Sequence, residues 1–141
     1  MAVPRHISVV TLGVEDLDRS RRFYVNGFGW PPVFENDEIV FIQMNGLVLG
    51  LWLRDKLAED MARAAAAPGS VALAHNVESK GAVEALLDRL AAHGGRTLRP
   101  ADAPPHGGFR GYVADPDGHA WEIAYNPDWS IDVEGRVTFG V

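Results

Sequence analysis

The chain has 141 residues, which is the length of one domain, and 47% of them are hydrophobic, which is enough to bury a core. The formal charge of −6 is spread without a run of like charges, which argues against nucleic acid as a partner. There are no cysteines, so disulfides and thiolate chemistry are excluded. No apolar run approaches the roughly 18 residues of a membrane span, so we expect no membrane partner and a soluble, cytoplasmic protein.

The first half of the chain is predicted to contain one helix and four strands. Residues 7–14 alternate and are β-branched, which favours a strand, and Leu17, Ser20, Arg21 and Tyr24 fall on one side of the helix. Asp16 is a suitable N-cap for the helix. Pro31 and Pro32 restrict the second strand to the edge of a sheet. Asn45-Gly46 predicts a hairpin turn between the last two strands. In chain order, the strand, the helix and the three further strands are expected at residues 7–14, 17–25, 30–34, 38–44 and 47–53.

The second half is predicted to repeat this order after a connector. Residues 54–67 are expected to form a helix with an alanine-rich end, which Pro68 and Gly69 stop. Ser79 is the N-cap of a second helix, and a loop rich in proline and glycine is expected at 101–108. The strand, the helix and the three further strands of this half are expected at residues 71–77, 79–93, 96–98, 109–114 and 120–125.

The two halves share an order of elements and two short patterns, which indicates an internal duplication. The patterns are Val14-Glu15-Asp16, which matches Val77-Glu78-Ser79, and Gly46-x-x-x-Gly50, which matches Gly118-x-x-x-Glu122. We therefore expect one domain made of two modules at residues 5–54 and 70–127, with a connector at 55–69 and a C-terminal tail at 128–141.

The most informative stretch of the sequence is 115–127. It opens on Asp-Pro-Asp-Gly, in which proline fixes the first corner of a turn and glycine supplies the positive φ. In the strand that follows, Trp121, Ile123 and Tyr125 form a bulky face, while Glu122 lies on the opposite face among alanines. A carboxylate on a face of small residues indicates a hollow next to the sheet.

The motif Asp-Pro-Asp-Gly-x-x-x-Glu at 115–122 and the opening segment at 7–24 resemble the vicinal oxygen chelate superfamily. That superfamily includes glyoxalase I, bleomycin-resistance proteins, fosfomycin-resistance enzymes and extradiol dioxygenases. The resemblance covers residues 5–127 and implies an α+β fold of two βαβββ modules, whose mixed sheet curls around a cleft. It is specific for the fold and weak for the reaction. The alternative is a ferredoxin-like α+β sandwich without a cleft.

Metal-dependent members of the superfamily take up to four ligands from the first and fourth strands of each module. Carried onto this sequence, those four positions are Val9, Gly50, Ala72 and Glu122. Only the glutamate can bind a cation, whereas catalytic sites require about three protein ligands. The histidines do not restore the spacing; His75, for example, shares the helix-facing side of its strand with Leu73. We therefore expect neither a metal nor another cofactor.

Strand parity assigns a set of side chains to the cleft that combines stacking, hydrogen bonding and one charge. The expected ligand-binding residues are Thr11, Trp52, Asn76, Arg110, Tyr112 and Glu122. Trp52 and Glu122 are expected to share one ligand site. The alternatives are that Glu122 is a remnant paired with Arg110, that Trp52 fills the core, and that Asn76 only ends its strand.

These expectations combine into a metal-independent protein that binds a small organic molecule in its cleft, as the bleomycin-resistance proteins do. The alternative is an enzyme of the same superfamily, a lyase, an isomerase or a dioxygenase-like protein. In that case Glu122 would be the catalytic residue, as a general base or as part of an atypical metal site. The resemblance also implies a homodimer, whose interface we expect to include the apolar tail around Phe139 and Val141.

Overall fold

The computed structural model describes residues 2–140 and contains two similar halves followed by a short hairpin. The first half consists of β1 (Val9–Val14), α1 (Leu17–Arg21), a π-helix (Arg22–Gly27), β2 (Phe34–Glu35), β3 (Ile39–Gln43) and β4 (Val48–Leu53). The connecting helix α2 (Arg54–Met61) leads to β5 (Ala72–Asn76), α3 (Lys80–Ala92), β6 (Arg96–Asp102), β7 (Phe109–Ala114) and β8 (Ala120–Tyr125). The hairpin consists of β9 (Ser130–Ile131) and β10 (Val137–Thr138).

Each half forms a four-stranded mixed sheet, and the two sheets have the same strand order. The first runs β1-β4-β3-β2 and the second β5-β8-β7-β6, with the first and last long strands of each half parallel to each other. The α+β fold with a duplicated module is therefore confirmed. The ferredoxin-like alternative is wrong, because its strands would belong to a single four-stranded sheet.

The core lies on the helix-covered faces of the two sheets. Leu12 of β1 is beside Leu51 of β4, and Trp121 and Ile123 of β8 are buried in the same way in the second sheet. Phe23, on the π-helix, packs between the two halves and is fully buried. All these side chains belong to one continuous apolar cluster, so the two modules share a core. Among residues 2–140, no helix has the length and apolar character needed to cross a bilayer.

The periodicity predicts one regular helix at residues 17–25, but the helix in the structure is not α-helical to its end. It changes at Arg22 to a π-helix, in which the amide of Phe28 donates to the carbonyl of Phe23. A wider turn reduces the angle between successive side chains, and the neighbouring Phe23 and Tyr24 are both fully buried. Tertiary packing of two adjacent aromatics thus accounts for the departure from the α-helical pattern.

The connecting helix is shorter than predicted. It ends at Met61, where Ala62 takes the left-handed conformation with φ of 56° and its amide caps the last turn. The prediction of a helix through Ala67 is wrong, because helix propensity alone does not sustain a short segment without packing.

The two edge strands also differ from their predicted ranges. β2 contains only Phe34 and Glu35, and β6 continues to Asp102 through Pro100 with two shifts of register. Proline is tolerated there because β6 lies at the edge of its sheet.

Candidate functional site

The strand registers place the four family positions as the sequence comparison of the two halves predicts. Thr11 is beside Gly50 in the first sheet, and Ala74 is beside Glu122 in the second. Two residues earlier along the same faces of the strands, Val9 lies beside Val48 and Ala72 lies beside Ala120. Gly50 and Glu122 are therefore structurally equivalent, and they lie on the sheet faces opposite the shared core.

In the first sheet this face is already covered. A Cβ atom added to Gly50 would lie 3.3 Å from the ring of Phe41 and 3.3 Å from the hydroxyl of Thr11. The connecting helix covers the neighbouring strand, since a Cβ atom on Gly13 would lie 3.3 Å from Leu57. A side chain at position 50 would displace one of these neighbours.

The residues at the four family positions do not fit a transition metal. Val9, Gly50 and Ala72 have no donor atom in their side chains, and the space beside Gly50 is filled. Within residues 2–140 of one chain, no three His, Asp or Glu side chains come together in a group that could hold an ion. A single carboxylate from Glu122 does not meet the roughly three protein ligands that catalytic sites use.

The equivalent face of the second sheet is open, and we call it the Glu122 face. It consists of Glu122 with the exposed Ala72 and Ala74 on one side and Tyr112 on the other. Glu122 is half-buried, and within residues 2–140 its carboxylate takes part in no ion pair and no side-chain hydrogen bond. A half-buried carboxylate without a partner is available to a ligand.

Arg110 and Asn76 lie on the same face but are engaged with other residues. Arg110 is bonded to Asp102, so the alternative in which it neutralises Glu122 is not what the structure shows. Hydrogen bonds from Arg99, joined by Arg110, hold the pKa of Asp102 below its usual value. The side-chain oxygen of Asn76 accepts a hydrogen bond of 3.3 Å from Asn126.

Thr11 and Trp52, the other two predicted ligand-binding residues, lie on the first sheet and line separate depressions. Thr11 lines a cavity of about 250 Å³ beneath the connector, together with His119. Trp52 lines a charged depression beside Lys56 and Glu59, which Glu122 does not reach. The expected common site of Trp52 and Glu122 is thus not formed within one chain, because α2 and the connector fold onto the first sheet.

The turn at 115–118 joins the two modules, a role that its local pattern did not reveal. One oxygen of Asp117 accepts hydrogen bonds of 2.9 Å from the amide of Glu15 and 2.9 Å from Arg19, both in the first module. The Asp117 side chain is fully buried, and Arg54 lies 3.8 Å from the same oxygen. His119 adds a bond of 2.8 Å to the carbonyl of Gly13.

Asp115, in the same turn, ends a buried chain of hydrogen bonds. The indole of Trp121 donates to the hydroxyl of Tyr24 at 3.0 Å, and that hydroxyl donates to Asp115 at 2.7 Å. Burial raises the pKa of the Asp115 carboxyl, although the bond from Tyr24 opposes the change. Burial, with the nearby Asp115 charge, raises the pKa of Tyr24 well above its ordinary value. The motif therefore fixes the architecture and positions the strand that carries Glu122.

Comparison with known structures finds close agreement over nearly the whole chain. A glyoxalase-related enzyme from Fulvimarina pelagi is 59% identical and has a TM-score of 0.96, with 98% of this chain and 100% of that chain covered. A hypothetical protein from S. aureus (19% identity, TM-score 0.77, 89% and 96% covered) shares the fold. So does a lactoylglutathione lyase from Agrobacterium tumefaciens (22%, 0.70, 88% and 96%).

Comparison with curated protein sequences finds no significant match. The model of the family described as Glyoxalase/Bleomycin resistance protein/Dioxygenase superfamily, however, matches residues 6–123. That range includes both modules, from the segment before β1 to the middle of β8. With its duplicated sheets and the Glu122 position at the end of the matched range, the chain belongs to the Glyoxalase/Bleomycin resistance protein/Dioxygenase superfamily.

Proposed function

We propose that this protein binds a small organic molecule on the Glu122 face, as a homodimer and without a catalytic metal. The observation that carries the proposal is the half-buried Glu122 carboxylate, which has no partner among the described residues and has small side chains on one side. A ligand with a cationic or hydrogen-bond-donating group would satisfy that carboxylate. Tyr112, its neighbour across the strands, offers an aromatic surface beside it.

The proposal includes a second copy of the chain because one open sheet face does not enclose a ligand. Small-molecule sites bury most of the ligand surface, so a second wall is required. Large apolar side chains are exposed beside the first strand of each module: Ile7 is 64% exposed, Val9 47% and Val71 73%. Their burial against a partner would stabilise a dimer and cover the Glu122 face at the same time. Phe139, in the tail, is also exposed, while Val141 lies outside the described residues.

Light scattering at micromolar concentration tests the assembly. The expected mass is twice the 15.3 kDa of one chain. A 15.3 kDa species under these conditions would remove the second wall and with it the proposal.

A screen of small aromatic amines by thermal shift, followed by calorimetry of any hit, tests the ligand site. Glu122→Gln is expected to weaken binding about tenfold, since hydrogen bonds to charged groups contribute on the order of 1.5–3 kcal/mol. Glu84→Gln, an exposed position on α3, is the matched control and should leave affinity unchanged. An affinity that changes by less than about twofold in Glu122→Gln contradicts the assignment.

The second candidate is an enzyme in which Glu122 acts as a general base. One observation favours it: the Fulvimarina pelagi protein, 59% identical, is described as a glyoxalase-related enzyme. A lyase or isomerase reaction needs a positioned base that removes a proton from carbon, and a half-buried carboxylate without a partner suits that role. Glu122→Gln separates the two functions, because an enzyme would lose turnover while still binding its substrate, and a binding protein has no turnover to lose.

A further inference from the structure

A second cavity lies against helix-facing side chains of both sheets, and of the residues that define the Glu122 face it touches only Ala74. It has a volume of about 410 Å³ and is formed where the two modules meet. The first module contributes β1, β3, β4 and the turn between the last two strands, and the second contributes β5 and β8. The lining side chains are mostly apolar, and none of them carries a carboxylate, ammonium or guanidinium group. Cavities of roughly this size and character bind small ligands in other proteins.

One wall of this cavity consists of aromatic rings that hold one another in place. The Trp30 ring stacks on Phe28 with a centroid distance of 3.9 Å and an angle of 11°. Phe28 lies 5.0 Å from Trp121, whose indole is fixed by its hydrogen bond to Tyr24. Because these rings contact each other and the shared core, the aromatic wall exists before any ligand binds.

His75 is a polar group of the cavity whose imidazole makes no hydrogen bond within residues 2–140 and is therefore available to a ligand. Its ring centroid lies 5.8 Å from that of Trp30. Burial lowers the pKa of its imidazole, and the negative charge of Glu78 opposes this lowering only in part. A neutral imidazole presents one donor and one acceptor nitrogen. The two amides nearby are already engaged: Gln43 donates to the carbonyl of Met44 at 2.8 Å, and Asn45 donates to Glu134.

The C-terminal hairpin closes one side of the cavity. Gly135, at its turn, lines the cavity, and the bond from Asn45 to Glu134 ties the hairpin to the first module. The amides of Glu134 and Arg136 both donate to Asp132, which holds the turn in this shape.

We propose that this cavity between the modules is a second binding site, independent of the Glu122 face, for a small, flat and uncharged heteroaromatic molecule that hydrogen-bonds to His75. Stacking against Trp30, with the Trp121 ring inclined to it by 61°, favours a planar ring. The absence of charged side chains from the lining disfavours ions, since an unpaired charge in such a site is costly. The free imidazole selects rings with an N–H or a ring nitrogen over plain hydrocarbons.

Indole and 1-benzothiophene are the probes, because they have the same shape and only indole has an N–H. Binding is followed in proton–nitrogen correlation spectra through the four tryptophan indole signals. The signals of Trp30 and Trp121 are expected to shift, while those of Trp52 and Trp129, which do not line the cavity, stay in place. Indole is expected to bind about fivefold more tightly than 1-benzothiophene, the value of one net hydrogen bond.

Two pairs of variants complete the test. Leu47→Phe, which adds a ring to the lining, should abolish the shifts, whereas Val48→Phe, whose residue does not line the cavity, should retain them. His75→Phe should retain binding and remove the preference for indole. Equal binding by Leu47→Phe, or no shift of Trp30 and Trp121 up to the solubility limit of indole, overturns the site. An unchanged preference in His75→Phe overturns the role of the imidazole.

Discussion

The buried hydroxyl of Tyr24 connects Trp121 and Asp115 of the second module to the first module, and Tyr24→Phe tests its contribution to stability. The substitution removes one oxygen and leaves the ring, so packing against Phe23 and Phe28 is unchanged. It also leaves the Trp121 N–H and one oxygen of Asp115 without partners in the core. Each buried group without a partner costs about 1–3 kcal/mol, so the expected loss of stability for the two groups is about 2–6 kcal/mol.

That loss is a large share of the roughly 5–15 kcal/mol by which domains are stable. For a chain of this size it corresponds to a decrease in Tm of roughly 10 °C. Urea unfolding followed by tryptophan fluorescence gives the free energy directly, with the slope compared between variants to verify two-state behaviour.

Tyr112→Phe is the matched control, because it removes a hydroxyl that has no hydrogen-bond partner within residues 2–140 and lies on the Glu122 face. Its expected effect is within about 0.5 kcal/mol. If Tyr24→Phe falls in the same range, the hydrogen-bond chain from Trp121 to Asp115 does not stabilise the junction between the modules.

Three further predictions concern stability. The pKa of Tyr24 is raised in the folded state, so the unfolded chain loses this proton first as pH rises past 10.0, and the free energy of unfolding should decrease above that pH. Urea unfolding across the alkaline range should show a less steep decrease in Tyr24→Phe. Asp117→Asn should lower the free energy of unfolding in urea by about 1.5–3 kcal/mol, since the buried carboxylate accepts hydrogen bonds from Glu15 and Arg19 in the other module. Asp60→Asn, at an exposed position of α2, should change the free energy of unfolding little. Gly95→Ala should lower the free energy of unfolding by roughly 2–4 kcal/mol, because its Cβ would lie 2.7 Å from the Leu90 carbonyl and 2.9 Å from Phe23. Gly81→Ala in α3 should instead raise the melting temperature slightly, and equal effects of the two substitutions would refute the steric reasoning.

The sequence predicts the strand faces of this protein well, because alternation is a local signal. The bulky face of β8, with Trp121 and Ile123, is buried as predicted, and the pairing of Thr11 with Gly50 and of Ala74 with Glu122 agrees with the matched halves. The hairpin turn predicted at Asn45-Gly46 also agrees with the structure, in which β3 and β4 pair antiparallel across it.

The contacts of the motif turn could not be predicted in this way. Asp115 bonds to a residue 91 positions away in the chain, and Asp117 to one 102 positions away. Local turn chemistry explains why aspartate occurs there, and only the packed modules reveal which donors it meets. The covering of the first sheet by α2 is another long-range effect, and it is the reason that Trp52 and Glu122 do not share a site.

The two modules differ at Gly50 and Glu122, a pair of positions that the duplication makes equivalent. Phe41 lies beside Gly50, and Tyr112, at the equivalent place, lies beside Glu122. Because glycine has no side chain, the Phe41 ring fills the space over the first sheet, as its 3.3 Å approach to the missing Cβ indicates. At the equivalent place in the second sheet, the Glu122 side chain lies beside Tyr112 and both residues are half-buried. The Phe41 ring over Gly50 and α2 over Gly13 therefore cover the face of the first sheet together, whereas the equivalent face of the second sheet carries Glu122. The ligand that we propose for that face would meet one carboxylate instead of a symmetric set of four donors.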